Sequence, residues 1–355
     1  MRNYILILAF MLFATITTKA TVWSVNNNPA NNSAADYTNL QNAIDSASVG
    51  DTLYVYGSPT TYGTVYVKKQ LYFFGEGYNV IGAGRYSTSV GTFYLGEIKD
   101  ALNQLVSDAS GSVFTGFDCT IKSQVAGISN ITILRNRVDI YYKGYSSVPA
   151  SNWIIINNLI GVLKHDAANM KENNNFQIEN NIILPAGYVG CTNAIVKNNL
   201  IIRTYVYFDY GTITNNIFYY TSPAGCTNSN IKNNLSYANG STIATSFDVS
   251  TTNIIANNIE AQDPKFTSVT ISSSPSFSYA HDYHLQSTSP AIGAGINSGD
   301  LGIYGGNYPF PSGGVVPLQT SALPGIPQIL NLQISNTLIP IDSVLHINLN
   351  ARVRN

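Results

Sequence analysis

Charge is scarce in this sequence: only 10% of its 355 residues are Asp, Glu, Lys or Arg, and the formal net charge is −1. A chain so balanced carries no basic footprint for nucleic acid. Cysteine is almost absent, with three residues in the whole chain, so a disulfide framework of the small secreted kind is excluded. Long hydrophobic runs are missing apart from one near the start, Tyr4 to Ile16, which is too short for a membrane span. Helical periodicity is equally rare.

The early run has its own explanation. "MRNYILILAFMLFATITTKA" has a basic start, an apolar middle and small or polar residues before Ala20, the pattern of a signal peptide over residues 1–20. No Cys follows that point, which argues against a lipid anchor there. Without Arg2 and Lys19 the remainder holds 16 basic against 19 acidic residues. The expected location is secreted or cell surface, with no membrane span and no nucleic-acid partner.

What the sequence has in quantity is paired asparagine. "WIIINNLIG", "FQIENNIIL", "AIVKNNLII", "TITNNIFYY", "SNIKNNLSY" and "NIIANNIEA" repeat one arrangement, with a degenerate early copy in "ITILRNRVDI". Anchored on the first Asn, the copies fall at Asn136, Asn157, Asn180, Asn198, Asn215, Asn233 and Asn257, spaced 21, 23, 18, 17, 18 and 24 residues. Imperfect repeats of about twenty residues indicate a solenoid whose units bury their apolar faces by stacking. The positions two before each anchor (Leu134, Ile155, Ile178, Val196, Ile213, Ile231, Ile255) and two after it (Val138, Leu159, Ile182, Leu200, Ile217, Leu235, Ile259) are all aliphatic. Residues two apart on a strand share a face, so both columns are expected to point into one core. The Asn pair then forms a corner between two strands, because Asn tolerates the left-handed backbone region. Since Arg137 occupies the second position in the first copy, the first Asn is expected to form an inward amide ladder and the second to face solvent.

These residues resemble the right-handed parallel β-helix proteins of pectate-lyase type. "YTNLQNAIDSASVGDTLYVYGSPTTYGTVYVKKQLYFFGEGY", Tyr37 to Tyr78, is similar to the opening of such proteins, where a short helix leads into the first coil. "DYHLQSTSPAIGAGINSGDLGIYGG", Asp282 to Gly306, resembles a closing segment of secreted members. The resemblance implies an all-β solenoid over residues 21–310 with an N-terminal capping helix. It leaves activity open, because the superfamily includes lyases, hydrolases, adhesins and many uncharacterised members. Read physically, Thr38 and Gln41 fit a capping box, with Leu40, Ala43, Ile44 and Ala47 on one helical face and Gly50 as the stop. Residues 311–328 are rich in Pro and Gly and read as a linker, and 329–355 alternate like a short C-terminal β tail.

Phase also constrains the thiols. Cys191 and Cys226 each lie seven residues before an anchor Asn, with Phe208 at that phase between them, so a Cys–Phe–Cys stack is expected. Two coils separate the cysteines by roughly 9.6 Å, beyond the ~7 Å reach of a disulfide. Free buried thiols follow, and no His shares their phase to build a metal site. One residue beyond each Asn pair stand Ile160, Ile183, Ile201 and Phe218, which read as an exposed apolar strip to be covered by the tail from Ile329.

Chemistry-bearing residues are few. Asp139, Asp166, Glu260 and Asp263 fall at different phases, so no two carboxylates are expected to align across neighbouring turns. "LKHDA" groups Lys164, His165 and Asp166, and "YAHDYHL" groups His281, Asp282, Tyr283 and His284, the latter within the closing segment. "IIRTYVYFDYG" groups Arg203, Tyr205, Tyr207 and Asp209 in one short coil. Tyr188, Tyr205 and Tyr207 share an outward face where rings suit stacking on sugars, with Arg203 and Asp209 as hydrogen-bonding partners. They form the expected ligand site, with polysaccharide as partner and no cofactor. The alternatives are a polysaccharide lyase or glycoside hydrolase, with Arg203, Lys164 and Asp209 as candidate catalytic residues and Ca²⁺ entering only for a lyase, or a purely structural or adhesin solenoid.

Overall fold

The computed structural model describes residues 20–80, 85–99, 104–166, 174–185, 187–239, 245–269, 274–311, 327–334 and 347–353. The expected signal peptide, apart from Ala20, and most of the expected linker lie outside them. Two eleven-stranded parallel sheets make a β-helix. The first sheet runs in chain order from Val22–Val25 to Ile254–Ala256, and the second from Thr64–Val67 to Leu235–Tyr237. Each strand pairs with its counterpart one coil later, as Ile133 with Ile155, Ile155 with Ile178 and Ile178 with Val196. Those residues, with Ile213 and Ile231, are fully buried.

The helix forms over Leu40–Ser46 and buries Leu40, Ala43 and Ile44 against the first coil. It covers apolar surface that the first coil would otherwise leave open. Its cap corrects the sequence reading: Asn39, not Thr38, accepts the Asn42 N–H, while Gln41 bonds Tyr66 and Asp45. Asn39 lies one residue nearer the apolar face, where its carbonyl oxygen reaches the third amide.

The asparagine corner is inverted relative to expectation. The second Asn of each pair builds the ladder, through Asn136, Asn158, Asn181, Asn199, Asn216, Asn234 and Asn258. Each Nδ2 donates to the next Oδ1 at 2.9–3.3 Å, and each Oδ1 also accepts the preceding coil's backbone N–H. The first Asn takes the left-handed conformation, with φ of 52–59° at Asn157, Asn180, Asn198, Asn215, Asn233 and Asn257. In the early copy Arg135 holds that position at φ 53° and Asn136 is already the ladder residue, so that copy was aligned one residue out. A one-residue slip exchanges the two faces.

The strip consequently changes sides. Ile160, Ile183, Ile201 and Phe218 belong to the main core, and Leu159, Ile182, Leu200, Ile217 and Leu235 face outward. They are covered by Phe266, Tyr283, Ala291, Leu301 and Ile303 of the segment after the last coil. That segment runs back along the solenoid as a strap over the left-handed asparagines. Asn233 bonds Ala294 O, Asn198 bonds Asp300 O and Gly302 O, Asn180 bonds Ile303 O and Gly305 O, and Asn157 bonds Tyr308 O. In the tail, Pro327–Ile334 pairs antiparallel with Ile347–Val353.

Cys191 pairs in register with Phe208, whose amide lies 3.3 Å from Cys226 Sγ, so the expected stack is present. All three cysteines are free and buried. Burial pushes the Cys226 thiol up to about 12. Labelling the denatured protein without reductant should therefore count three thiols, and labelling the native protein should count none on the same timescale.

Candidate functional site

The outer face of the second sheet brings together a run of aromatic and charged side chains. Strand register places Tyr66, Tyr94, Lys122, Tyr141 and Lys164 in one outward column over five successive coils. The Tyr66 and Tyr94 rings stack with centroids 5.3 Å apart at 19°. The Lys122 and Lys164 ammonium groups approach the Tyr141 ring from the coils on either side, at 5.6 and 5.5 Å from its centre. Each is a cation–π attraction between an ammonium group and the face of the ring. Lys122 also pairs with Asp166, and Lys68 with Glu97, both at 2.9 Å. A cavity of about 560 Å³ opens between these residues and the two tyrosines.

Farther along, Tyr188 and Tyr205 occupy the same face in adjacent coils. They stack on each other, centroids 5.3 Å apart at 22°, so the facing ring surfaces are taken. Their edges, hydroxyls and outer ring surfaces remain, with Tyr205 55% exposed. Tyr207 is half-buried and donates its hydroxyl to Asp209 Oδ2 at 2.8 Å. Burial, with Asp209 second, pushes that phenol up to about 12. Asp209 is buried and also accepts the Thr227 hydroxyl, so it orients Tyr207 and is not open to a ligand. Arg203 takes a left-handed corner position, and its guanidinium donates to Ser274, ahead of the closing segment. Arg203 and Asp209, expected at either end of one short coil as hydrogen-bonding partners for a ligand, are each engaged within the protein. Lys164 lies with the aromatic column, His165 bonds the backbone of Gly144, and Asp166 is held by Lys122. His281 bonds Tyr283, and Asp282 pairs with His284, within the closing segment.

No known protein family and no curated protein matches the chain.

Beside the aromatic column lies a cleft that the sequence reading missed. Arg137 pairs in register with Asp118, their side chains 3.1 Å apart, and Asp139 lies two residues further along, opposite Thr120. Asp118 and Asp139 thus line one cleft from neighbouring coils, two residues out of register with each other. Asp139 needs Gly161 beside it: a Cβ at that glycine would stand 2.2 Å from Asp139 Oδ1. Burial raises the Asp139 carboxyl, offset in part by the Val162 amide and by Arg137. The cavity over these groups is about 300 Å³. Among the described residues, no group of three His, Cys, Asp or Glu could hold a metal ion. No helix among the described residues is long and apolar enough to cross a membrane.

Tyr66, Tyr94, Lys122, Tyr141 and Asp118 escaped the sequence reading because their phase had no anchor. All five precede the first Asn pair, Asn157 and Asn158. Their corners use other residues, such as Gly116 at φ 85° followed by Phe117, whose amide bonds the first ladder asparagine. A glycine taking the left-handed position was the available signal.

Proposed function

We propose that this chain is a secreted or cell-surface protein that binds extracellular polysaccharide on the outer face of its second sheet. The carrying observation is the run of outward tyrosines and lysines, one per coil from Tyr66 to Lys164 and resumed at Tyr188, Tyr205 and Tyr207. Tyrosine edges and hydroxyls offer apolar contact and hydrogen bonds together, which matches the mixed surface of a sugar. Coils repeat at about 4.8 Å, so a linear polymer lying along the axis meets an equivalent side chain at each step. Retention of the purified protein on insoluble polysaccharides tests this. Tyr188→Ala/Tyr205→Ala and Tyr66→Ala/Tyr94→Ala should each weaken retention roughly tenfold, the loss of about 1.4 kcal/mol of ring contact. Their thermal midpoints should stay near wild type. Undiminished retention by all four substitutions combined removes this face as the site.

The Asp118–Arg137–Asp139 cleft supports a second reading, glycoside hydrolysis. Asp139, held toward its protonated form, would protonate the leaving oxygen, and Asp118 would take a proton from the attacking water. Release of reducing ends by wild type but not by Asp139→Asn favours this reading. New absorbance from unsaturated products would instead favour a lyase. Absence of both, with no retention, leaves the structural solenoid.

A further inference from the structure

A second groove lies on the opposite sheet, and its chemistry differs from that of the tyrosine face. Two residues before each outward residue of the first sheet, Gln70, Gly111, Asn130, Asn152 and Asn175 stand in successive coils, over a length of about 19 Å. Asn130 and Asn152 sit at left-handed corners, both φ 58°, as does Asn175 at φ 48°. Their side chains project to solvent, and Asn152 Nδ2 reaches Asn130 Oδ1 at 3.4 Å. They wall a cavity of about 570 Å³. Its floor is the outward row Val113, Thr132, Ile154 and Gln177. No ionisable side chain lines it.

We propose that this groove is a glycan-binding site that takes an uncharged, linear oligosaccharide along the solenoid axis. A carboxamide carries a donor and an acceptor in one plane and can bridge two neighbouring hydroxyls of a sugar. Each wall amide repeats at the coil spacing, close to the length of one pyranose unit in an extended chain. Ile154, half-buried, offers apolar contact to the C–H face of the ring while the amides meet its hydroxyl edge. A uronate chain is disfavoured, since no cation lies in the groove to compensate its desolvated carboxylates. Neutral recognition distinguishes this groove from the lysine-bearing face across the molecule, and the site does not depend on that face being functional.

The left-handed corners supply a clean test. Glycine adopts φ near 58° without strain, so Asn130→Gly/Asn152→Gly/Asn175→Gly removes the amides and leaves the backbone undisturbed. Calorimetric titration of the whole chain would use hexasaccharides of β-1,4-linked glucose, xylose and mannose, with hexagalacturonate as the charged probe. At least one neutral hexasaccharide should bind, with an affinity unchanged by salt. The triple glycine variant should lose roughly tenfold or more of that affinity, with its thermal midpoint near wild type. The tyrosine variants of the second sheet should keep it. Neutral binding that survives the glycine substitutions but fails in the tyrosine variants overturns the groove and supports the other face. Failure of every neutral hexasaccharide, or glycine-sensitive binding of hexagalacturonate alone, overturns it as well.

Discussion

Asn199→Leu should lower the free energy of unfolding by roughly 3–5 kcal/mol, whereas Asn198→Gly, one residue away, should cost only about 1 kcal/mol. Asn199 Nδ2 donates to Ile178 O, Lys197 O and Asn216 Oδ1, and its Oδ1 accepts both the backbone and side-chain N–H groups of Asn181. All of these groups are buried, so leucine strands several at once, and each stranded group costs about 1–3 kcal/mol. The Asn198 side chain bonds the strap carbonyls of Asp300 and Gly302, the second of which keeps the Gly305 amide, and glycine is at ease at its φ of 53°. Urea unfolding of the two variants, read by far-ultraviolet circular dichroism, measures the difference. Equal losses, or a larger loss at 198, would overturn the assignment of the ladder to the second asparagine.

That asymmetry marks the boundary of what the sequence reveals. The column Ile155, Ile178, Val196, Ile213 and Ile231 was legible because it lies within one strand, where alternation holds. Alternation does not carry across a corner containing a left-handed residue. Ile155, Asn158 and Ile160 all point inward, although they are three and two residues apart. Carrying the period of two from Ile155 through the corner therefore reversed the second strand. A steadier signal was present in the other corner. The left-handed residues Asn130, Asn152, Asn175, Asn193, Tyr210 and Asn228 each precede a ladder asparagine by six residues. The first-sheet side of every such coil thus has one length, and all variation falls on the second sheet, where the candidate residues lie. Phase on that side is consequently the least readable. Tyr188, Tyr205 and Tyr207 were found because they sit in coils with Asn pairs. The Asp118 and Asp139 cleft depends on Gly161 and on a register shift after Val138, which no periodicity encodes.

Gly302→Val should detach the strap and produce the second large effect. Gly302 has φ 79°, which a β-branched residue does not tolerate, and a Cβ there would lie 2.7 Å from the buried Ile217 side chain. Its amide also bonds Asn215 O at 2.8 Å, so displacement breaks a backbone contact as well. What the strap covers is the outward row Leu159, Ile182, Leu200, Ile217 and Leu235, each worth about 1.5–3 kcal/mol when fully buried. Valine should therefore cost several kcal/mol, expose a contiguous apolar row and bind a hydrophobic dye in proportion. Because the ladder and the inner core do not pass through Gly302, the coils should stay folded while the strap becomes open to protease. Gly293 supplies the control: its φ is 66°, but the nearest atom to a Cβ there is 3.9 Å away. Gly293→Ala should then show backbone strain alone, about 1 kcal/mol, with no dye binding and no new cleavage. Dye binding by Gly293→Ala equal to that of Gly302→Val would mean that the strap is held by its backbone conformation and not by its packing on the solenoid.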